Sequence, residues 1–525
     1  IDASTRSVQA AAMAELGNLE EGLRLADLSA ATPAATADAI AEAAYLHAVC
    51  GRNRRARALL LKFDRGDTRW ARDQSSQALG EYARFALAMS AGSQSDASAA
   101  VSSLSELSPY DTDSKSRLAV LQATLAIVSG SAASQELVQR AAEVVAEQHA
   151  WRWMLRVRIL EAVVRRDGES LALWITEAES ESSLAVLELA DAISTVVGSL
   201  TAAPEALERS VLREPARWVA ALGRQVEGRG SEDARAAAAL VARFGTVDNA
   251  PLLRDFERTP SGRPKRGGLA AQLVRRVSPT VRVHDLGLTS YEIGNRLVQL
   301  TETRRKTAAL TLFLITRPDL AANREQVMEA LWPDQTPKSA LNSLHQTIFF
   351  LRRELEPWYE DGASADYVHM DAELVRLDRE LFQVDSVAFA RQATDIIKTG
   401  SAVTRGPEML VRYRGHFAPE FEYEEWAESW RTHLHTTFLL LANATSRELA
   451  GEGRYGEAVE VLTPVVALDP NAFELRGMLV GCLAAAGAQD ASLAQYRSMA
   501  VAHERDLGMP ARPYQDLIGD VRAMG

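Results

Sequence analysis

The residues with the most specific chemistry to offer lie on one predicted helix. The stretch LWPDQTPKSALNSLHQTIFFLRREL, residues 331–355, is punctuated by Pro333 and Pro337. It then reads as an uninterrupted helix from about Lys338 to Leu355. Leu341, Leu344, Ile348, Leu351 and Leu355 recur at alternating steps of three and four and build one apolar stripe. At about 100° per residue the opposite face carries Ser339, Asn342, Gln346, Phe349, Phe350 and Arg353. Asn and Gln can pair bidentately with adenine, and Arg with guanine or with phosphate. A helix that buries one face and presents such groups on the other suits the major groove of duplex DNA.

Enzymatic chemistry finds much less support. The sequence holds no GxxxxGKS or GxxxxGKT phosphate loop, no HExxH, no CxxC and no GxSxG. His433 and His435 are two apart, so a helix points them in different directions, and the carboxylates are spread along helical faces. We therefore expect no catalytic centre, no metal and no cofactor. Lys plus Arg number 58 against 70 Asp plus Glu, a net charge of −12. Such an acidic chain is not a general polyanion binder, and any nucleic-acid site must be a local concentration of cations. Cys50 and Cys482 fall within apolar helical patterns and read as reduced core residues of a cytoplasmic protein. No apolar run of membrane-spanning length and no signal peptide is visible, so no membrane partner is expected. Because the chain begins at Ile1 rather than Met, it reads as part of something longer or as an engineered form.

The elements that must position the central helix flank it in order. A strand-like run covers Val281 to Gly287, a helix Arg304 to Ile315, and a short second helix Asn323 to Pro333. After the central helix comes a hairpin-sized pair, Tyr367 to Leu377, turning at Asp371–Glu373. Strand, three helices and hairpin is the order of a winged helix-turn-helix, expected over residues 282–378, with the last helix as reader and the hairpin as wing.

Residues 1–250 are rich in Ala, Leu and Glu and lack strand alternation. Apolar helix pairs recur around Gly17, Gly51, Gly92, Gly130 and Gly168, with weaker versions at Gly198 and Gly228. Turns roughly 30–40 residues apart indicate an α-solenoid of tetratricopeptide type. Such an array offers a groove for a protein or small-ligand partner, or serves as a spacer. Trp151, Trp153 and Trp174 line that groove or fill the core. Residues 251–281 shift abruptly to Pro, Gly and Arg and read as a basic linker. From Arg254 to Arg282 eight Arg and Lys meet two acids. Lys265 and Arg266 beside two glycines are either an arm against phosphates or a solvated connection. Residues 379–525 carry two further helix pairs turning near Gly453 and Gly487.

Taken together, VRVHDLG, RRKTAALTLFLI, EQVMEALWPD, ALNSLHQTIFFLRREL, YVHM with LVRL, VDSVAF, DPNAFE, GAQDASLAQY and ERDLGMPARP form an ordered series. It resembles the Streptomyces antibiotic regulatory protein family over about Val281 to Gly525. The resemblance implies a winged helix followed by a bacterial transcriptional activation domain, here residues 379–525. By position it puts Asn342, Ser343, His345, Gln346 and Phe349 toward bases, with Trp332 and Arg352 near the DNA backbone. Face analysis agrees on Asn342, Gln346 and Phe349 but favours Arg353 over Arg352. Lys338 at the helix start completes the contact set, and the wing residues His369 and Arg376 would enter a minor groove. Trp426, Trp430 and Arg431 are expected to be structural. The implied partners are duplex DNA, RNA polymerase and a second copy of the chain on DNA.

The sequence departs from the family where it has Phe349 and Phe350 in place of polar or basic residues, and Ala365 and Asp366 before the wing tyrosine. From Val283 to Glu356 nine basic residues meet nine acidic ones. The expected protein is thus mainly α: an N-terminal solenoid, a winged helix with small β elements, and a C-terminal helical activation domain. Its expected function is sequence-specific activation of transcription. The rival is a non-enzymatic helical scaffold whose winged helix no longer binds DNA.

Overall fold

A computed structural model describes residues 3–33, 35–65, 73–107, 112–181, 183–200, 205–228, 230–258, 268–299, 304–356 and 364–524. The chain is mainly α and divides into two compact units, Ile1–Val277 and Ser278–Gly525.

Five helix pairs open the first unit: α1 (Ala3–Glu15) with α2 (Leu19–Ala31), α3 (Ala37–Val49) with α4 (Asn53–Asp64), α5 (Gln74–Ala91) with α6 (Gln94–Glu106), α7 (Thr112–Val128) with α8 (Ser134–Glu147), and α9 (Trp151–Arg165) with α10 (Gly168–Glu181). Four of the turns place a glycine in the left-handed region, as at Gly51 with φ +75°. There a Cβ would also stand 2.9 Å from the backbone of Arg217, so glycine is required twice over. The fifth turn uses Arg166 at φ 52°, and Gly168 instead opens α10. The repeat then breaks down. Short α11 (Ser183–Glu188) and α12 (Ala190–Ser194) lead to α13 (Glu205–Arg213), α14 (Pro215–Val226) and α15 (Glu232–Phe244).

Charged side chains fill the space between these helices. The Arg117 guanidinium lies between the rings of Tyr45 and Tyr82, 4.3 and 3.9 Å from their centroids. Arg156 is buried and donates to Glu188 and, at 3.1 and 3.2 Å, to both carboxylate oxygens of Glu15. Trp153 is a core residue whose indole N–H donates to Asp113 at 2.6 Å. Trp174 is half-buried, while Trp151 is 74% exposed.

The expected linker at 251–281 takes a different form. Residues on both sides of 259–267 fold as α16 (Ala250–Phe256) and α17 (Leu269–Val277) and belong to the first unit. The Glu257 carboxylate accepts from the Leu269 and Ala270 amides at 2.6 and 3.3 Å, capping α17. Arg276 donates to the carbonyls of Ala242 and Gly245, closing the end of α15. The apolar spacing of LAAQLVRRV, with Ala270, Leu273 and Val274 buried, outweighs its basic composition. Lys265 and Arg266 lie outside the described residues.

The second unit begins with β1 (Val281–His284), β2 (Ser290–Ile293) and β3 (Arg296–Gln299). Next come α18 (Arg305–Ile315), β4 (Ala321–Asn323), α19 (Arg324–Leu331), α20 (Pro337–Leu355), β5 (Val368–Met370), β6 (Leu374–Leu377) and β7 (Phe382–Val384). The helices α21 (Asp385–Thr399), α22 (Ala402–Arg412), α23 (Glu425–Gly451), α24 (Tyr455–Leu468), α25 (Phe473–Ala485), α26 (Gln489–Leu507) and α27 (Tyr514–Arg522) complete it. One sheet has the order β3-β2-β1-β7, antiparallel except for the parallel β1–β7 pair, where Val281 faces Phe382. The other is antiparallel, with order β4-β6-β5. The helix pairs turning at Gly453 and Gly487 are present as expected.

The expected division at 378/379 does not separate two bodies. The β1–β7 pair crosses it, and so does a buried polar cluster. Asp285 accepts from the amide and hydroxyl of Ser386 at 2.8 and 2.6 Å, and Glu420 accepts from the amide and hydroxyl of Thr289 at 2.9 and 2.7 Å. Burial drives the Asp285 carboxyl up to about 7 against the pull of these bonds. Arg431 donates to the carbonyls of Phe417, Phe421 and Glu422, and the Trp430 indole N–H to Ser386. Trp426 is buried.

Candidate nucleic-acid interface

The central helix starts as its sequence dictates. Thr336 caps it by accepting from the Ser339 amide at 3.4 Å, and Pro337 takes the first turn, where no amide donor is needed. Its buried face comprises Ala340, Leu344, Thr347, Ile348, Leu351 and Leu355, packed on α18, α19 and β5. Four of the five stripe residues are therefore buried, whereas Leu341 is half-buried.

The opposite face is open. Lys338, Ser339, Asn342, His345, Gln346, Phe349 and Arg353 are all exposed. From Asn342 to Arg353 this face runs about 16 Å, a length that a major groove accommodates. Ser343 is half-buried, and its hydroxyl donates to the Gln335 side chain at 3.0 Å, as that of Ser339 does at 3.2 Å. Phe349 is 44% exposed and packs edge-on to Phe350, with centroids 5.4 Å apart. The Arg353 guanidinium lies 5.7 Å from the Phe349 ring.

Two expected contact residues are placed otherwise. Arg352 is half-buried and donates from Nε and Nη2 to the Val368 carbonyl of β5 at 3.1 and 2.7 Å. Trp332, 9% exposed, closes the end of α19 with its ring 5.9 Å from the Lys306 ammonium. One residue step along the helix turns Arg353 by about 100° from Arg352, enough to send one into the hairpin and the other to the exposed face. Arg304 was not anticipated. Its guanidinium covers the Phe350 ring at 3.4 Å, placing a cation beside the open face where the sequence showed only an aromatic pair.

Asp371 accepts from the amides of Glu373 and Leu374, both at 2.8 Å, and so builds the hairpin turn. Arg376 is exposed on β6, between Ala321 of β4 and His369 of β5. His369 is half-buried, with Nε2 3.9 Å from Asp371. Two carboxyls close the far end of α20. Burial pushes Glu354 up to about 7 despite Arg296, and Glu356 to about 7 despite bonds that favour its charged form.

Among the described residues no group of three or more His, Cys, Asp or Glu could hold a metal ion, and no helix is long and apolar enough to cross a membrane. Cys50 and Cys482 are free and buried, and burial lifts their thiols to about 12 and about 11.

Comparison with known families places residues 377–517 in a match to the bacterial transcriptional activator domain. The match covers that end of the chain alone. No curated protein matches the chain. Among solved structures, Mycobacterium tuberculosis EmbR in complex with a low-affinity phosphopeptide is similar at 19% identity with a TM-score of 0.37. The match covers 46% of this chain and 65% of that one, just under two thirds of its length.

Proposed function

We propose that this protein is a sequence-specific DNA-binding regulator, acting as an activator of transcription in the cytoplasm, with α20 as its reader. The observation that carries the reading is the division of α20. One face is buried, while Asn342, Gln346 and Arg353 stand on the solvated face beside a short hairpin. In this reading α18, α19 and α20 are the three helices of a winged helix-turn-helix, and β5–β6 is the wing, presenting Arg376. Asn342 and Gln346 address adenine edges, Phe349 a thymine methyl, and Arg353 guanine or phosphate. Lys338 and Arg304 supply phosphate contacts. His345 and Ser343 adjoin the base-reading set, while Trp332 and Arg352 hold the helix in place. The activator-domain match supports a role for the C-terminal helix pairs in contacting RNA polymerase, with two copies on adjacent DNA sites. The N-terminal array, by its repeat architecture, senses a protein or ligand and biases DNA binding.

Selection from random duplex DNA by the full chain at moderate salt tests this. The expected result is a recurring short motif whose binding weakens by about 1–3 kcal/mol in Asn342→Ala or Gln346→Ala, with relaxed base preference. Failure to enrich any motif would assign the chain to protein scaffolding, whereas enrichment unchanged in both variants and in Arg353→Ala would overturn α20 as the reader.

A further inference from the structure

A cleft of about 970 Å³ lies within the second unit, bounded by β1, the end of α18, β7, α21 and the end of α22. Six arginines line it: Arg282, Arg317, Arg379, Arg391, Arg412 and Arg414. Against them stand two carboxylates, Asp319 and Asp385. This excess is the reverse of the whole chain, whose net charge is −12.

Both carboxylates are already engaged. Asp319 pairs with Arg379 at 2.6 Å, and Asp385 lies 2.7 Å from His284 and 3.5 Å from Arg282. Arg412 makes an exposed pair with Glu408 at 2.7 Å, a contact of little strength. Arg391 and Arg414 are exposed and make no ion pair among the described residues. Arg317 is half-buried, stacked 4.4 Å over the Phe313 ring, and its Nε is buried without a hydrogen-bond partner. A buried donor left unmade costs free energy unless a ligand completes it. The rim is strained as well: Asp319 and Leu320 both take left-handed φ, 56° and 55°.

We propose that this cleft binds a phosphate-bearing small molecule of nucleotide size. Guanidinium forks match phosphate oxygens bidentately, and Arg holds its charge at any working pH. The volume lies within the small-ligand range, and a concave pocket of this size does not admit a rigid duplex. Trp430, whose indole N–H is held by Ser386, also lines the cleft and offers a flat surface on which a base can stack. An occupant would bridge the end of α18 to α21 and α22, linking the α20 region to the activator domain. The site stands independently of DNA reading by α20, and its test uses no DNA.

Equilibrium binding of ADP and of inorganic pyrophosphate to the full chain decides the matter. The comparison is with Arg391→Ala/Arg414→Ala, two exposed positions whose loss leaves the fold intact, and with Arg505→Ala outside the cleft. Saturable binding of ADP that pyrophosphate displaces is expected, weakened at least about tenfold in the double variant and unchanged in Arg505→Ala. Absence of saturation below about 1 mM, or equal affinity in the double variant, overturns the proposal. So does capture of poly-glutamate that ADP fails to displace, which would make the cleft a dock for an acidic protein segment.

Discussion

The guanidinium of Arg352 donates two hydrogen bonds to the main-chain carbonyl of Val368, at 3.1 and 2.7 Å, and thereby ties α20 to the hairpin. Its neighbour Arg353 points the other way, into solvent above Phe349. The two adjacent arginines therefore separate stability from recognition. Arg352→Ala leaves a buried carbonyl unsatisfied and should cost roughly 1–3 kcal/mol of stability. Arg353→Ala should leave the thermal midpoint within experimental error while weakening DNA binding and reducing its salt dependence. Thermal melts of both variants beside salt titrations of DNA binding check this. Equal effects on both properties would refute the division.

Acidity should act on the second unit in an unusual direction. The carboxyls of Asp285, Glu354 and Glu356 are each raised to about 7 by burial, well above their unfolded values. Between about pH 4 and 7 the folded state therefore holds more protons than the unfolded state, and stability falls as pH rises through this window. Asp285→Asn keeps an acceptor for the Ser386 amide and removes the charge. It should flatten this slope. Denaturant titrations at pH 5 and pH 8 give the sign directly.

The first unit should depend on Arg156 more than on any surface pair. Arg156→Met would strand the carboxylates of Glu15 and Glu188, both paired to it in the folded protein. Removing one partner of a buried ion pair costs about 3–5 kcal/mol. Exposed Arg24, paired with Glu21 on one helix face, should leave stability almost unchanged when replaced by Ala. Urea unfolding of the two variants should differ accordingly.

Where the chain is cut should matter in a way the structure specifies. Residues 278–525 form one compact unit and are expected to unfold cooperatively by themselves. A piece beginning at residue 379 strips β1 from β7 and removes Asp285 from Ser386, so it should lose cooperative melting. Circular dichroism melts of both pieces provide the comparison. Retention of a sharp transition by the shorter one would show that the crossing contacts contribute little.

Much of the helical architecture could be read from local pattern. The 3.6-residue periodicity of α20, the Thr-Pro start at 336–337 and the glycine turns at Gly17, Gly51, Gly92 and Gly130 each depend on a few adjacent residues. The two-strand hairpin was legible for the same reason, its turn being built by Asp371 on its own backbone. Pairings between distant segments were not. The strand β4 has three residues and no alternation to detect, and β1 meets β7 across about a hundred residues. The basic stretch before β1 has the composition of a linker, yet the short apolar period of α17 is enough to fold it. The separate fates of Arg352 and Arg353 turned on the approach of Val368, which only packing brings beside the helix. The arginines of the cleft come from positions as far apart as 282 and 414, and only the tertiary fold draws them together. Local periodicity thus determined which segments coil and which face each buries. The tertiary structure decided which polar groups on those faces stay exposed, because that depends on what each one meets from elsewhere in the chain.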